Sequence, residues 1–195
     1  MNTHGAAFRE RIADAITLLT EPVDTLSPGH LSASDYVAAL HQLERLGRLV
    51  DAARVTLAGE AEPRARGPID TVGALGYASA VDAVATLTSA SDREAKGRIR
   101  IGEALNTGVS FTGAETGSAH AAIARSVRAG NLSVEVAGIL IDALHRLRGH
   151  VDDTVLLQAE TGLVELAAGT PERPPLRADL VRGQANLYVE ALDPD

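Results

Sequence analysis

Seven apolar residues, Tyr36, Ala39, Leu43, Leu46, Val50, Ala53 and Leu57, follow one another at alternating spacings of three and four. Only an α-helix gathers such positions on one side, because its period is 3.6 residues. Ser32 or Ser34 supplies an N-cap, and Pro63 supplies a stop. The spacing therefore predicts one helix over about 34–62. At 1.5 Å per residue the seam is about 30 Å long. Leu40 and Leu49 widen it beyond a two-stranded coiled-coil stripe. Two readings stay open: a core helix with its seam buried, or a helix-pairing face between two chains built on Tyr36, Leu43, Leu46, Val50 and Leu57. The core reading is carried forward, and on it Asp at position 46 would unfold the domain.

The rest of the chain has the same character. Phe8, Ile12, Ile16 and Leu19 form a stripe in a helix that Glu21-Pro22 ends, followed by a turn at Ser27-Pro28-Gly29. Residues 63–78 read as a connector with a short helix at Thr71–Leu75. Ser79 caps a short helix carrying Val81, Val84 and Leu87. Ser91-Asp92-Arg93-Glu94 is a capping box with reciprocal bonds, opening a helix to about Leu105. Residues 106–118 read as a long loop. A helix over about 119–129 stops at Gly130, and Ser133 caps another to about Leu147, with Val136, Ile139, Leu140, Ala143 and Leu147 buried. A helix over 153–168 stops at Gly169, and Pro171, Pro174 and Pro175 form a linker. A last helix carries Leu176, Leu180, Leu187 and Val189. Val, Ile and Thr never alternate long enough to indicate a strand. The pairs 79–105 and 121–147 match weakly at an offset near 42, with Ser91 on Ser133, Ala95 on Ala137 and Ile99 on Ile141. The expectation is an all-α domain of about eight helices, organised around the long helix.

Composition excludes much. Hydrophobic residues make up 45% of 195, enough for a core, and with aromatics at 3% that core must be aliphatic. The absence of Cys leaves no disulfide, thiolate zinc site or cysteine nucleophile. The run Val136 to Ile141 is too short to span a bilayer. Mixed charges at Arg9, Glu10 and Arg11 do not read as a signal peptide, which places the chain in the cytoplasm. None of His4, His30, His41, His120, His145 and His150 pairs at i, i+4 as metal ligands do, so they read as scattered solvent histidines. Phosphate-loop, dinucleotide and nucleophile-elbow motifs are missing. Glu94-Ala95-Lys96 resembles half of a nuclease E-x-K site, but it falls inside a predicted helix. No cofactor, metal or small-molecule substrate is indicated.

One constellation bears on function. Arg93, Lys96 and Arg100 fall within about 60° of one another on their helix, opposite Ala95, Ile99 and Gly102. A basic outer face on the second helix of a helix–turn–helix is one way to present cations to double-stranded DNA. Three phosphate contacts would give a salt slope of about −2.7. Arg98, Arg125 and Arg128 are candidate helpers. Against this, Asp92, Glu94 and Glu103 share the helix and nearly balance its charge, and the chain's net charge is −8, which favours a solvated face or an acidic protein partner over DNA contact.

Gly76-Tyr77-Ala78-Ser79, Ser91 to Ala95, and Arg98 to Ala104 resemble motifs of the actinobacterial domain of unknown function 222, the 13E12 repeat family. Phe111-Thr112-Gly113, His120, Gly130 to Glu135, Leu163 to Ala168 and Leu192 to Asp195 resemble further motifs, in the same order. The likeness runs from about Leu31 to the end. It implies an all-helical domain over 31–192, preceded by a helix and connector at 1–30. It also implies a junction at 193–195 leading toward an HNH endonuclease domain, where histidines and an asparagine hold a divalent metal. That nuclease motif lies nowhere in these residues. The chain departs from the pattern in lacking Trp and the usual prolines at 113–119.

The resulting expectation is a non-catalytic accessory domain of an HNH-endonuclease-type protein, positioning DNA through Arg93, Lys96, Arg98 and Arg100. The alternative is an interaction or dimerisation module without DNA contact. An unrecognised enzyme is a third hypothesis, which metal titration with a plasmid-cleavage readout would test.

Overall fold

The computed structural model describes residues 3–25, 27–67, 71–109, 115–169 and 173–192. Phe111-Thr112-Gly113, Pro171 and the junction at 193–195 lie outside the described residues. The fold is all-α, and its longest helix, α2, has 27 residues. The helices are α1 (Thr3–Thr25), α2 (Ala33–Gly59), α3 (Ala61–Arg66), α4 (Thr71–Ala74), α5 (Ala80–Thr88), α6 (Asp92–Leu105), α7 (Ala121–Arg128), α8 (Val134–Leu147), α9 (Asp153–Ala167) and α10 (Ala178–Leu192). A short 3-10 turn occupies Pro28–His30. The loop expected to be strand-free holds a two-residue antiparallel ladder, β1 (Gly108–Val109) with β2 (Glu115–Thr116). Two residues are too few to leave a period-2 signal.

The chain divides into two compact units, Met1–Leu43 and Glu44–Asp195. The first holds α1, the 3-10 turn and the front of α2. Pro22 does not end α1, which runs on to Thr25. Pro22 stands in its last turn, where the missing N–H leaves only the Leu18 carbonyl without its helical donor, and Thr25 Oγ1 donates to the Glu21 carbonyl at 2.9 Å. Ser32 Oγ accepts from the Asp35 N–H at 3.1 Å and caps α2. None of the described side chains of this unit is buried.

The second unit contains the core, centred on α8. Nine residues of α8 are buried, among them all five predicted for its stripe. Leu163 of α9, Val181 and Ala185 of α10, Ile123 and Val127 of α7 and Leu105 of α6 join the same cluster. The fourteen-residue α6 and the fourteen-residue α8 begin and end at an offset of 42, and matched serines cap them. Ser91 Oγ accepts from Glu94 N–H at 3.2 Å, and Ser133 Oγ from Val136 N–H at 3.2 Å. The Glu94 carboxylate pairs with Arg98 instead of closing the box, so only its Ser91 half is formed.

Three expectations need correction. The seam of α2 is not core: Leu46 is half-buried, while Tyr36, Leu43, Val50 and Leu57 are 49%, 51%, 41% and 60% exposed. The buried residues of α2 are Ala52, Val55, Ala58 and Gly59. Accordingly Asp at position 46 would not place a charge in a dry core. Second, α2 ends at Gly59, before Pro63, which sits in the first turn of α3, where its missing N–H costs no helical bond. Third, α10 buries Val181 and Ala185, while Leu180 and Leu187 stay exposed.

Helices α2 and α6 meet through two glycines. A Cβ on Gly102 would lie 2.0 Å from the Val55 carbonyl oxygen and 2.6 Å from the Gly59 nitrogen. Only residues without side chains allow backbones to approach this closely.

Candidate nucleic-acid interface and a buried carboxylate

Helix α6 carries all four predicted DNA-facing cations and buries Ala95, Ile99, Ile101, Gly102 and Leu105 beneath them. Arg93, Lys96 and Arg100 are exposed, as a solvent-facing stripe requires. Their electrostatic states differ. Arg100 Nη1 donates to Asp142 Oδ1 of α8 at 2.6 Å. Arg98, four residues after Glu94, is tied to that carboxylate and also donates to Thr88 Oγ1 at 3.4 Å. Among the described residues, Arg93 and Lys96 have no carboxylate within ion-pair distance. The expected patch of four is therefore two cations without carboxylate partners beside two engaged ones.

The helpers divide in the same way. Arg128 Nη2 donates to the Leu105 carbonyl at 2.9 Å, a cation on the C-terminal end of α6, where the helix dipole favours positive charge. Arg125 is exposed. Arg48, which had no predicted role, donates from Nε to the Gly130 carbonyl at 2.7 Å and fixes the α7–α8 turn to α2. Gly130 takes φ +70° there, the left-handed conformation that closes α7.

One buried carboxylate–imidazole pair was missed. Glu160 of α9 and His120, the residue before α7, are 5% and 6% exposed. Glu160 Oε1 accepts from the N–H groups of Ala122 and Ile123 at 2.7 and 3.0 Å. Its Oε2 lies 3.7 Å from His120 Nδ1. The carboxylate thus caps α7 from another helix, satisfying two donors its own N-terminus leaves open. Burial alone would push the Glu160 carboxyl up. His120 and the two N–H bonds outweigh burial and hold it below its ordinary value. His120 is therefore not a solvent histidine, although His30, His41, His145 and His150 are exposed as expected. The overlooked signal was a carboxylate on an apolar face: Glu160 falls between Leu156 and Leu163, on the same side as Ala159 and Ala167.

Of the five interface candidates on α2, Tyr36, Leu43, Val50 and Leu57 are exposed and Leu46 is half-buried. Among the described residues no group of three or more His, Cys, Asp or Glu could hold a metal. No described helix is long and apolar enough to cross a membrane. No family model, curated protein or solved structure matches the chain.

Proposed function

We propose that the chain is a non-catalytic helical accessory domain of an HNH-endonuclease-type protein, acting in the cytoplasm by assembly. One observation carries the reading: α2 docks in the second unit through Ala52, Val55, Ala58 and Gly59 and leaves Leu49, Val50 and Leu57 exposed. Apolar side chains held outward at helical spacing supply a face for another protein surface. The link to a nuclease rests on the motif resemblance, from Gly76-Tyr77-Ala78-Ser79 through Leu163 to Ala168.

The test mixes this chain with a purified HNH endonuclease domain from a protein bearing the same motifs, read by fluorescence anisotropy. Binding at micromolar concentration is expected, weakened at least tenfold by Val50→Asp with Leu57→Asp, with unchanged melting of the chain itself. Absence of binding refutes the nuclease partner. A collapse in melting temperature refutes the exposed-face premise.

A second reading, contact with double-stranded DNA, is supported by Arg93 and Lys96 on the outer side of a capped helix–turn–helix. Two phosphate contacts would give a salt slope of about −1.8. Arg93→Ala with Lys96→Ala should flatten that slope and weaken duplex binding; an unchanged affinity and slope would remove this reading.

A further inference from the structure

We propose that the N-terminal unit, Met1–Leu43, is a dimerisation module whose apolar faces are covered by a second copy of the same unit. This goes beyond the nuclease-partner reading, and it uses different residues.

The starting point is an imbalance. Among the described residues, ten of the nineteen exposed large hydrophobics fall in Met1–Leu43 and nine in the much longer Glu44–Asp195. At the same time none of the unit's described side chains is buried. A segment this short gains helix stability mainly by packing an amphipathic face, and below about 40 residues association is a usual source of that packing. Gly5 and Pro22 lower the intrinsic propensity of α1 further. Yet α1 spans 23 residues.

The faces suit a helical partner. Phe8, Ile12 and Ile16 recur every four residues on α1, and Tyr36, Leu40 and Leu43 at four and three on α2. All six are between 43% and 61% exposed. A half-exposed side chain of this size leaves on the order of 50–100 Å² open. These six leave roughly 300–600 Å² per copy, a large part of the about 800 Å² per partner in a standard stable interface. Two amphipathic segments per copy make four in a two-fold pair, the number that encloses a bundle core. A lipid surface suits these faces poorly. The unit carries two arginines and no lysine against five carboxylates, whereas interfacial helices are rich in Lys and Arg on the polar side.

The experiment is light scattering and sedimentation of the full chain over a range of concentrations. A dimer is expected. Ile16→Asp with Leu40→Asp should raise its dissociation constant at least about a hundredfold. The milder Ile16→Ala with Leu40→Ala should weaken it in the same direction without a buried charge, which keeps the test valid if the Asp variant folds poorly. Because the chain has no Cys, a spin label on Ala38→Cys is unique, and dipolar spectroscopy should give one defined intermolecular distance. A monomer at every concentration overturns the proposal, including the case where another part of the same chain covers these faces. A dimer that is indifferent to both double variants, or that shows no intermolecular distance at Ala38→Cys, also overturns it.

Discussion

Gly102→Ala tests the crossing of α2 and α6, and its effect can be worked from distances. The added Cβ would fall 2.0 Å from the Val55 carbonyl oxygen, 2.6 Å from the Gly59 nitrogen and 2.7 Å from its Cα. Ordinary contact begins at 3.4 Å, so the two backbones must part by about 1.4 Å. None of the three atoms belongs to a side chain that could rotate away. Overpacking costs about 1–3 kcal/mol, and backbone atoms on both sides place this case at the upper end. Ala in place of Gly inside a helix returns roughly 1 kcal/mol. The net expectation is destabilisation by about 2 kcal/mol. Gly97 provides the control on the same helix, since nothing lies within 4 Å of its Cβ position. Gly97→Ala should stabilise by about 0.5–1 kcal/mol. Urea titrations followed by circular dichroism, with m unchanged, should separate the two variants by nearly 3 kcal/mol. Gly59→Ala should resemble Gly102→Ala, because its Cβ would lie 2.4 Å from the Gly102 carbonyl carbon. The double variant should cost less than the sum, since one separation of the helices serves both. If Gly102→Ala proves as stable as Gly97→Ala, the close crossing is refuted.

Glu160→Gln keeps a carbonyl for the Ala122 and Ile123 N–H groups and removes only the charge, so it should cost about 1–2 kcal/mol at neutral pH. Folding holds the Glu160 carboxyl below its ordinary 4.5. Its stabilisation is therefore complete above pH 4.5 and is lost as pH falls through the lower folded-state value. Wild type and variant should converge in acid, and a gap that stays constant with pH would contradict the assignment. Ser133→Ala removes the α8 cap and should cost about 1 kcal/mol, with Ser91→Ala similar at α6; denaturation midpoints that do not move would show the caps to be idle.

The fold class and most element boundaries were legible because their signals are local. A serine before an apolar run marks a helix start, and α5, α6 and α8 begin where Ser79, Ser91 and Ser133 indicate. The weak match at an offset of 42 was also in the residues, and Arg100 and Asp142, equivalent positions under that offset, form an ion pair at 2.6 Å. What the sequence could not supply was partnership across elements. Nothing near Arg100 announced Asp142, and nothing near Ala122 announced Glu160, 38 residues on. The expected basic face therefore came out half engaged.

The misread face of α2 has a different cause. Its large residues keep a 3-4 period, and so do the small ones: Ala52, Val55 and Gly59 are spaced by three and four. At about 100° per residue, Ala52 lies about 200° from Val50, so the docked side is opposite the leucine seam. A helix crossing as close as Gly59 on Gly102 selects for small volume, because bulk there would push the backbones apart. A reading that ranks faces by hydrophobicity chooses the leucines and leaves the glycines to solvent. Along the second-unit part of this helix, the close crossing with α6 decides which face is buried, and the leucine seam is left facing outward.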